Sequence, residues 1–157
     1  MQKITTFLWF DRQALEAARF YVSIFKNSKI ISPVVVGDED SGGDAPVFLV
    51  NFELDGHEFM ALNGGPHYTI TPGISFFVNC ETQEEVDELW AKLGEGETYL
   101  RCGWLTDKFG ITWQIIPTAL GRLMSDPDPV KSGRVRNAMM QMVKIDIAGL
   151  QRAYDID

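Results

Sequence analysis

Residues 4–25 read ITTFLWFDRQALEAARFYVSIF, and residues 74–93 read ISFFVNCETQEEVDELWAKL. Each stretch opens with a short apolar run that is typical of a strand and continues with apolar residues at helical spacing. In the first stretch Asp11 stands where a side-chain oxygen caps the helix that follows. The two stretches therefore predict two strand–helix units in one chain.

The segments that follow each helix correspond as well. The predicted strands are residues 29–36, 47–54 and 58–62 after the first helix, and 98–100, 103–106 and 111–116 after the second. Asp55-Gly56 is a strong signal for a hairpin, and residues 37–43 are predicted to form a polar loop. The order strand, helix and three strands thus occurs twice. It predicts an α+β fold of two βαβββ modules whose inner sheet faces form a cleft.

The repeat also divides the chain. We expect one domain, with module 1 at about residues 1–66, module 2 at about 67–118 and a helical tail at about 119–157. In the tail, Val135, Met139 and Val143 recur at helical spacing, and Asp146 is a candidate cap for a last short helix over residues 147–154.

Composition excludes several classes of protein. The 157 residues are 45% hydrophobic and 23% charged, which is typical of a globular domain. The formal net charge of −8 argues against nucleic acid or an anionic membrane as partner. No apolar run is long enough for a membrane span, so a cytoplasmic protein is expected, with Cys80 and Cys102 as reduced thiols.

Several short motifs resemble one known family. They are Leu8-Trp9-Phe10-Asp11, Ala17-Ala18-Arg19-Phe20-Tyr21, Phe52-Glu53-Leu54-Asp55-Gly56, Ala61-Leu62-Asn63-Gly64-Gly65-Pro66, Cys102-Gly103-Trp104-Leu105, Asp107-Lys108-Phe109-Gly110 and Trp113-Gln114. Together they resemble the PhnB-like proteins of the vicinal oxygen chelate superfamily, which includes glyoxalase I, extradiol dioxygenases and bleomycin-resistance proteins. The family is often called 3-demethylubiquinone 3-methyltransferase. The resemblance implies paired βαβββ modules, the glyoxalase/bleomycin resistance-like fold, and a homodimer.

The resemblance also implies where a divalent metal would bind in active members. Counting from Phe20-Tyr21, those positions are Thr6 and Met60 in module 1, and one of residues 73–75 and Gln114 in module 2. Hydroxyl, thioether and amide groups are poor ligands for a hard cation, so no metal is predicted. No glycine-rich strand–turn–helix unit is present for S-adenosylmethionine, so no cofactor is predicted either.

A set of residues is nevertheless expected to bind a ligand in the cleft. Thr6, Asn63, Ser75 and Gln114 would orient it by hydrogen bonds, and Phe10, Met60, Phe77 and Trp104 would give apolar contact. Cys102, next to Arg101, is a candidate ligand-contacting or reactive thiol. With Thr6 facing the cleft, Trp9 and Trp113 are expected to point toward the helices.

These residues lead to a main hypothesis and alternatives. The main one is a protein that binds a small apolar or aromatic molecule without a metal, with no catalytic residue assigned. One alternative is an enzyme: a metal-dependent lyase or dioxygenase, a Cys102-dependent enzyme, or the methyltransferase of the family name. Another is an assembly protein whose own tail fills the cleft. A homodimer is expected in each case, with Met139, Met142 and Tyr154 as candidate interface residues.

Overall fold

The structure is a computed structural model that describes residues 2–35, 47–95 and 98–156. The chain divides into two compact units, Met1–Ile70 and Thr71–Asp157. The predicted loop over residues 37–43 lies outside the described residues. Among the helices in the described ranges, none is long and apolar enough to cross a bilayer.

Strands and helices follow the predicted order except at residues 98–100, which form no strand, and at one additional helix after the last strand. The strands are β1 Thr6–Phe10, β2 Lys29–Val35, β3 Val47–Leu54, β4 His57–Asn63, β5 Ser75–Cys80, β6 Trp104–Thr106 and β7 Thr112–Pro117. The helices are α1 Ala14–Ile24, α2 Gln83–Leu93, α3 Thr118–Met124, α4 Pro129–Gln141 and α5 Ile147–Asp155. The predicted α+β class is therefore confirmed.

The first unit is a four-stranded sheet with one helix on it. The strand order is β1-β4-β3-β2, with β1 parallel to β4 and the other neighbours antiparallel. Helix α1 buries Ala14, Ala17, Ala18 and Tyr21, and the three alanines let the helix approach the sheet closely. Val50 and Phe52, both fully buried, supply the apolar surface of β3 in this layer.

The turn between β3 and β4 forms as predicted. Asp55 and Gly56 both have positive φ, at 48° and 76°, as a two-residue turn of the type that matches strand twist requires. The Gly56 amide donates to the Asn27 carbonyl at 3.1 Å, which ties the turn to the end of α1. The register of β4 against β3 follows from this turn.

The second unit has a three-stranded sheet, in the order β5-β7-β6, with β5 parallel to β7. At the start of α2 the Thr82 hydroxyl accepts from the Glu85 amide, and the Glu85 carboxylate accepts from the Glu81 amide. The predicted strand over residues 98–100 is wrong, because only an isolated bridge between Tyr99 and Leu105 forms there. Tyr99 instead stacks on Trp90 of α2, with ring centroids 4.7 Å apart.

Three helices form the tail after β7. They pack around a common core, whose buried members are Ile116, Leu120, Leu123, Val135, Ile145 and Leu150. Helices α4 and α5 confirm the two predicted helical segments, but Val143 lies beyond α4 and is exposed, and α3 was not predicted. The seven residues of α3 are too few to show a helical period by themselves.

Candidate functional site

Four of the predicted ligand residues lie on one face of the sheet in the second unit. In the register of β7, Gln114 is opposite Phe77 of β5 and Trp104 of β6, and Ser75 is two residues before Phe77. Side chains two residues apart on a strand share a face. We call the face that carries these four side chains the Gln114 face.

The Gln114 face combines polar and apolar groups. The Gln114 side-chain amide donates to the Ser75 hydroxyl at 2.9 Å, which fixes both side chains. Phe77 is 55% exposed and Trp104 is half-buried. Trp113 and Leu105 lie on the opposite, buried face of the sheet, so the prediction that Trp113 points toward the helix is confirmed.

In the first unit the predicted residues are divided between two faces. Thr6 pairs with Phe59, whereas Met60 pairs with Phe7, so Thr6 and Met60 project from opposite sides of the sheet. Phe10, which shares the Thr6 side, is only 4% exposed and lies on the face that α1 covers. We call the other side, which carries Met60 and Phe7, the Met60 face.

The expected direction of Trp9 is therefore wrong. Trp9 lies on the Met60 face, where its indole donates to the Gly65 carbonyl at 2.9 Å and its ring meets Tyr68 edge-on at 5.0 Å. The position of Thr6 was counted from Phe20-Tyr21 through the β1–α1 connection, and one residue more or less there reverses every face of a strand. Thr5, not Thr6, lines the same small cavity as Met60.

Asn63 has a structural position in the first unit. Its side-chain oxygen accepts from the Ala14 amide at 2.8 Å, and its side-chain nitrogen donates to the Val47 carbonyl at 2.7 Å. The first of these bonds supplies a partner to an amide at the start of α1, where Gln13 gives no side-chain cap. Asn63 thus joins β4 to both α1 and β3, and its amide group is already engaged.

The two cysteines have different surroundings. Cys80 is fully buried, and burial together with the carboxylates of Glu85 and Glu81 raises the pKa of its thiol to about 12. Cys102 is half-buried and has a positive φ of 62°. Among the described residues the Cys102 thiol has no hydrogen-bonding partner, so no base for a nucleophile is in place there.

Asp107 is a residue whose role the sequence analysis missed. It is 2% exposed, and one carboxylate oxygen accepts from the amides of Phe109 and Ile111 at 2.8 and 3.1 Å. The other oxygen accepts from the Trp113 indole at 2.8 Å. The carboxylate thus closes the β6–β7 turn. The Asp-Lys-Phe-Gly stretch, with a tryptophan shortly after it, was the available signal.

Among its described residues, the first unit includes a larger and a smaller cavity. One of about 820 Å³ is lined by residues near the start of α1, including Arg12, Arg19 and Phe48, and by Asn63. The other, of about 170 Å³, lies on the Met60 face and is lined by Thr5, Ile31, Asn51, Glu58, Phe59 and Met60. The larger cavity shares only Asn63 with the predicted ligand residues. Its charged side chains, Arg12 for example, are mostly exposed, as expected of a surface groove.

Comparison with known proteins identifies the family. Residues 2–116 match the family described as 3-demethylubiquinone-9 3-methyltransferase. The chain belongs to this family. The resemblance to PhnB-like proteins that the motifs indicated is thereby confirmed. No curated protein matches the chain significantly.

Several solved structures are similar to this chain. A protein from Bacillus cereus, described as PhnB and as a candidate 3-demethylubiquinone-9 3-methyltransferase, is 39% identical with a TM-score of 0.67, over 74% of this chain and 99% of that chain. Protein PA1353 from Pseudomonas aeruginosa is 20% identical with a TM-score of 0.62, over 74% and 98%. A glyoxylase/bleomycin resistance protein/dioxygenase domain from Frankia sp. EAN1pec is 17% identical, with a TM-score of 0.47, over 74% and 92%.

The name of the 3-demethylubiquinone-9 3-methyltransferase family implies S-adenosylmethionine, and the described residues do not fit it. The β1–α1 connection is Asp11-Arg12-Gln13 and the β5–α2 connection is Glu81-Thr82, so neither contains the glycines that bring backbone amides close to such a cofactor. Both sheets also lack the doubly wound order in which that unit occurs.

A divalent metal fits no better. The donors at the positions implied by the superfamily are a threonine hydroxyl, a thioether, and the Ser75 hydroxyl and Gln114 amide, which bond to each other. The described part of the chain has no group of three or more His, Cys, Asp or Glu side chains arranged to hold a metal ion. Sequence and fold show the family, whereas the groups available to bind a ligand are those on the Gln114 face and the Met60 face.

Proposed function

We propose that the protein binds a small, largely apolar or aromatic molecule on the exposed sheet faces, without a divalent metal. One observation carries this proposal. The Gln114 face places a half-exposed phenylalanine and a tryptophan on either side of a fixed polar pair. Apolar surface with a few oriented polar groups is what small-molecule sites in proteins have in common.

The polar pair has bonding capacity left for a ligand. Gln114 uses its nitrogen as donor to Ser75, so its side-chain oxygen remains an acceptor. The Ser75 hydroxyl accepts that bond and keeps its own hydrogen as a donor. A phenol or an aromatic alcohol satisfies one of these groups while its ring contacts Phe77 or Trp104. A hydroxylated aromatic is therefore the ligand class we infer.

The Met60 face of the first unit is a second candidate surface, considered by itself. Met60 lines the 170 Å³ cavity together with Thr5 and Asn51, and Phe7 beside it is 51% exposed. A flexible thioether side chain adapts to ligands of different shape. Phe10 and Asn63 are left out of the proposed site, since the first is buried under α1 and the second is engaged in two internal hydrogen bonds.

Titration with naphthol, an aromatic alcohol, tests the proposal through quenching of tryptophan fluorescence. We expect saturable binding that Phe77→Ala weakens about tenfold, the loss expected for one aromatic contact with its desolvated surface. Phe48→Ala is the matched control, because Phe48 is 45% exposed but lies in the first unit near the start of α1. Equal losses in both variants, or no saturable binding, would refute the site.

Three further measurements address the alternatives. Native mass spectrometry of the purified protein reports any ligand that co-purifies, and elemental analysis reports stoichiometric metal. Calorimetric titration with S-adenosylmethionine is expected to give no saturable heat at physiological concentrations. A micromolar dissociation constant would favour the methyltransferase of the family name.

We also propose that the protein forms a homodimer. Met139, Met142 and Tyr154, the residues expected at the interface, pack against the tail's own core. Val130 and Met140 of α4, 62% and 51% exposed, are the better candidates. Light scattering on the wild type and on a Val130→Ser, Met140→Ser variant tests this. A wild-type monomer at micromolar concentration would refute it.

A further inference from the structure

The tail contacts the turn at Cys102 and Gly103, which leads into β6 and the proposed ligand site. The family match ends at residue 116, so the helices α3, α4 and α5 lie after the part shared with the family. Ile116 lies on the same side of β7 as Gln114, two residues away, and is a member of the tail core. The tail therefore borders the Gln114 face.

Two consecutive hydrogen bonds join this turn to the tail. The Cys102 amide donates to the Met142 carbonyl at 2.9 Å, and the Gly103 amide donates to the Val143 carbonyl at 2.8 Å. Both donors lie in residues with positive φ, at 62° and 81°. A non-glycine residue such as Cys102 adopts this conformation only where its surroundings hold it.

Gly103 is packed so closely that only glycine fits. A Cβ there would lie 2.9 Å from the Ile115 carbonyl oxygen and 2.9 Å from Ile145 of the tail core. Trp104 follows directly and begins β6, a three-residue strand at the edge of the sheet. The position of Trp104 therefore depends on how this turn is held.

The tail segment over residues 142–147, which we call the strap, is itself anchored on α2. The Gln83 side-chain nitrogen donates to the Ile145 carbonyl at 3.0 Å, and its oxygen accepts from the Ile147 amide at 2.8 Å. Lys144 forms an ion pair with Asp87 of α2 at 2.8 Å. The strap thus connects the first turn of α2 to the turn before Trp104.

We propose that the strap positions Trp104 on the Gln114 face and thereby sets the affinity of that face for its aromatic ligand. Gln83 is a positioning residue in this arrangement. Its side chain bonds to the strap at Ile145 and at Ile147, and it does not lie on the Gln114 face. This inference rests on the proposed function for its ligand. Its structural part, that the strap holds the turn and Trp104, does not require one.

The test compares Gln83→Ala with Gln151→Ala in the full chain. Gln151 bonds to Asp155 at the far end of α5 and does not touch the strap, so it is a matched loss of a surface glutamine. Hydrogen exchange of the Cys102 and Gly103 amides is measured first, well below the unfolding temperature. We expect about tenfold faster exchange in Gln83→Ala, the effect of losing hydrogen bonds of ordinary strength, and no change in Gln151→Ala.

The second readout is Trp104 itself. The difference in emission between each protein and its Trp104→Phe counterpart isolates this residue from the other tryptophans. A red shift confined to the Gln83→Ala background, with naphthol affinity lowered about fivefold to tenfold, is the expected result. If Gln83 only stabilised the fold, Gln83→Ala would lower the unfolding temperature but would leave the Trp104 emission and the naphthol affinity unchanged.

The outcomes separate the inference from the proposed function. Unchanged hydrogen exchange and unchanged emission in Gln83→Ala would overturn the proposal that the strap positions Trp104. Faster exchange with unchanged naphthol affinity would overturn its effect on the ligand. A wild type that binds no naphthol would refute the proposed function, and the exchange and emission results would then still decide whether the strap positions Trp104.

Discussion

Both units begin with a strand and a helix, but three strands follow the helix in the first unit and two follow it in the second. In the first unit β2 pairs with β3 along most of its length, and the sheet has four strands. In the second unit the corresponding segment forms only the Tyr99 bridge, and β6 is left with three residues. In the turn before β6, the tail supplies carbonyl acceptors for the Cys102 and Gly103 amides.

The two units also differ in the polar side chain that joins their elements. Asn63, a neutral amide, joins the helix and sheet of the first unit through two hydrogen bonds. Asp107, a buried carboxylate, accepts three in the second. A repeat in sequence therefore preserves the order of elements without preserving what holds them together. The second unit depends more on a single side chain.

Removal of the Asp107 carboxylate is expected to have the largest effect. Asp107→Ala removes the buried acceptor of the Phe109 and Ile111 amides and of the Trp113 indole, which costs about 3 to 5 kcal/mol of unfolding free energy. Urea unfolding followed by circular dichroism measures it. Asp128→Ala, which removes an exposed helix cap, is the control and should cost about 1 kcal/mol. Similar losses would show that the buried carboxylate has no special role.

Asn63→Ala is expected to cost less, because the anchor of the first unit is neutral. Loss of two hydrogen bonds to Ala14 and Val47 should lower the unfolding free energy by about 2 kcal/mol. Naphthol affinity should not change, since Asn63 is engaged internally. Reduced affinity in a variant that remains folded would return Asn63 to the ligand site.

Gly133→Ala tests whether the surface of α4 at Gly133 is exposed or is covered by a second copy of the chain. Gly133 lies inside α4, and a Cβ there meets nothing within 4 Å, so alanine should stabilise by about 0.5 to 1 kcal/mol. Gly149→Ala in α5 is the paired control, because its Cβ would lie 2.9 Å from the terminal methyl of Met142, which has to move and should reduce the gain. Thermal unfolding compares the two. Destabilisation by Gly133→Ala, with a smaller mass in light scattering, would mean that a second copy packs on α4.

The smallest expected effect concerns pH and the tail. The Tyr154 hydroxyl donates to Asp126 at 2.6 Å; this bond lowers the pKa of Asp126, with help from the Asp128 amide, and raises the pKa of Tyr154. The lowered pKa gives stability that is lost as pH falls through it, and the raised pKa gives stability that is lost as pH rises through it. The melting-temperature difference between wild type and Tyr154→Phe should therefore be constant near neutral pH and shrink at both extremes. A difference that does not vary with pH would contradict it.

The sequence predicted the fold better than the site. Strand–helix order, the Asp55-Gly56 hairpin and the tail helices α4 and α5 follow from local periodicity and turn chemistry, which is why they were predictable. The face on which a strand residue lies was predicted by counting residues through the β1–α1 connection. The resulting error at Thr6 placed Trp9 on the wrong side of the sheet. In the second unit the strand register places Trp104, Ser75, Phe77 and Gln114 on one face, and their binding of a ligand stays a prediction.

What escaped prediction depends on contacts between distant residues. The partners of Asp107 come from both sides of a turn, and those of Asn63 come from α1 and β3. The strap joins residues about 40 positions apart, and it does so through backbone carbonyls, which carry no sequence signal.

The contrast between the two cysteines has a practical consequence for spectroscopy. Cys80 is fully buried, with a thiol whose pKa is about 12, so it stays protonated and out of reach of a thiol-specific reagent near neutral pH. Cys102 is half-buried, two residues before Trp104. The unmodified sequence therefore offers a single position for a maleimide dye or a nitroxide label beside the Gln114 face, with no cysteine to be engineered in or removed.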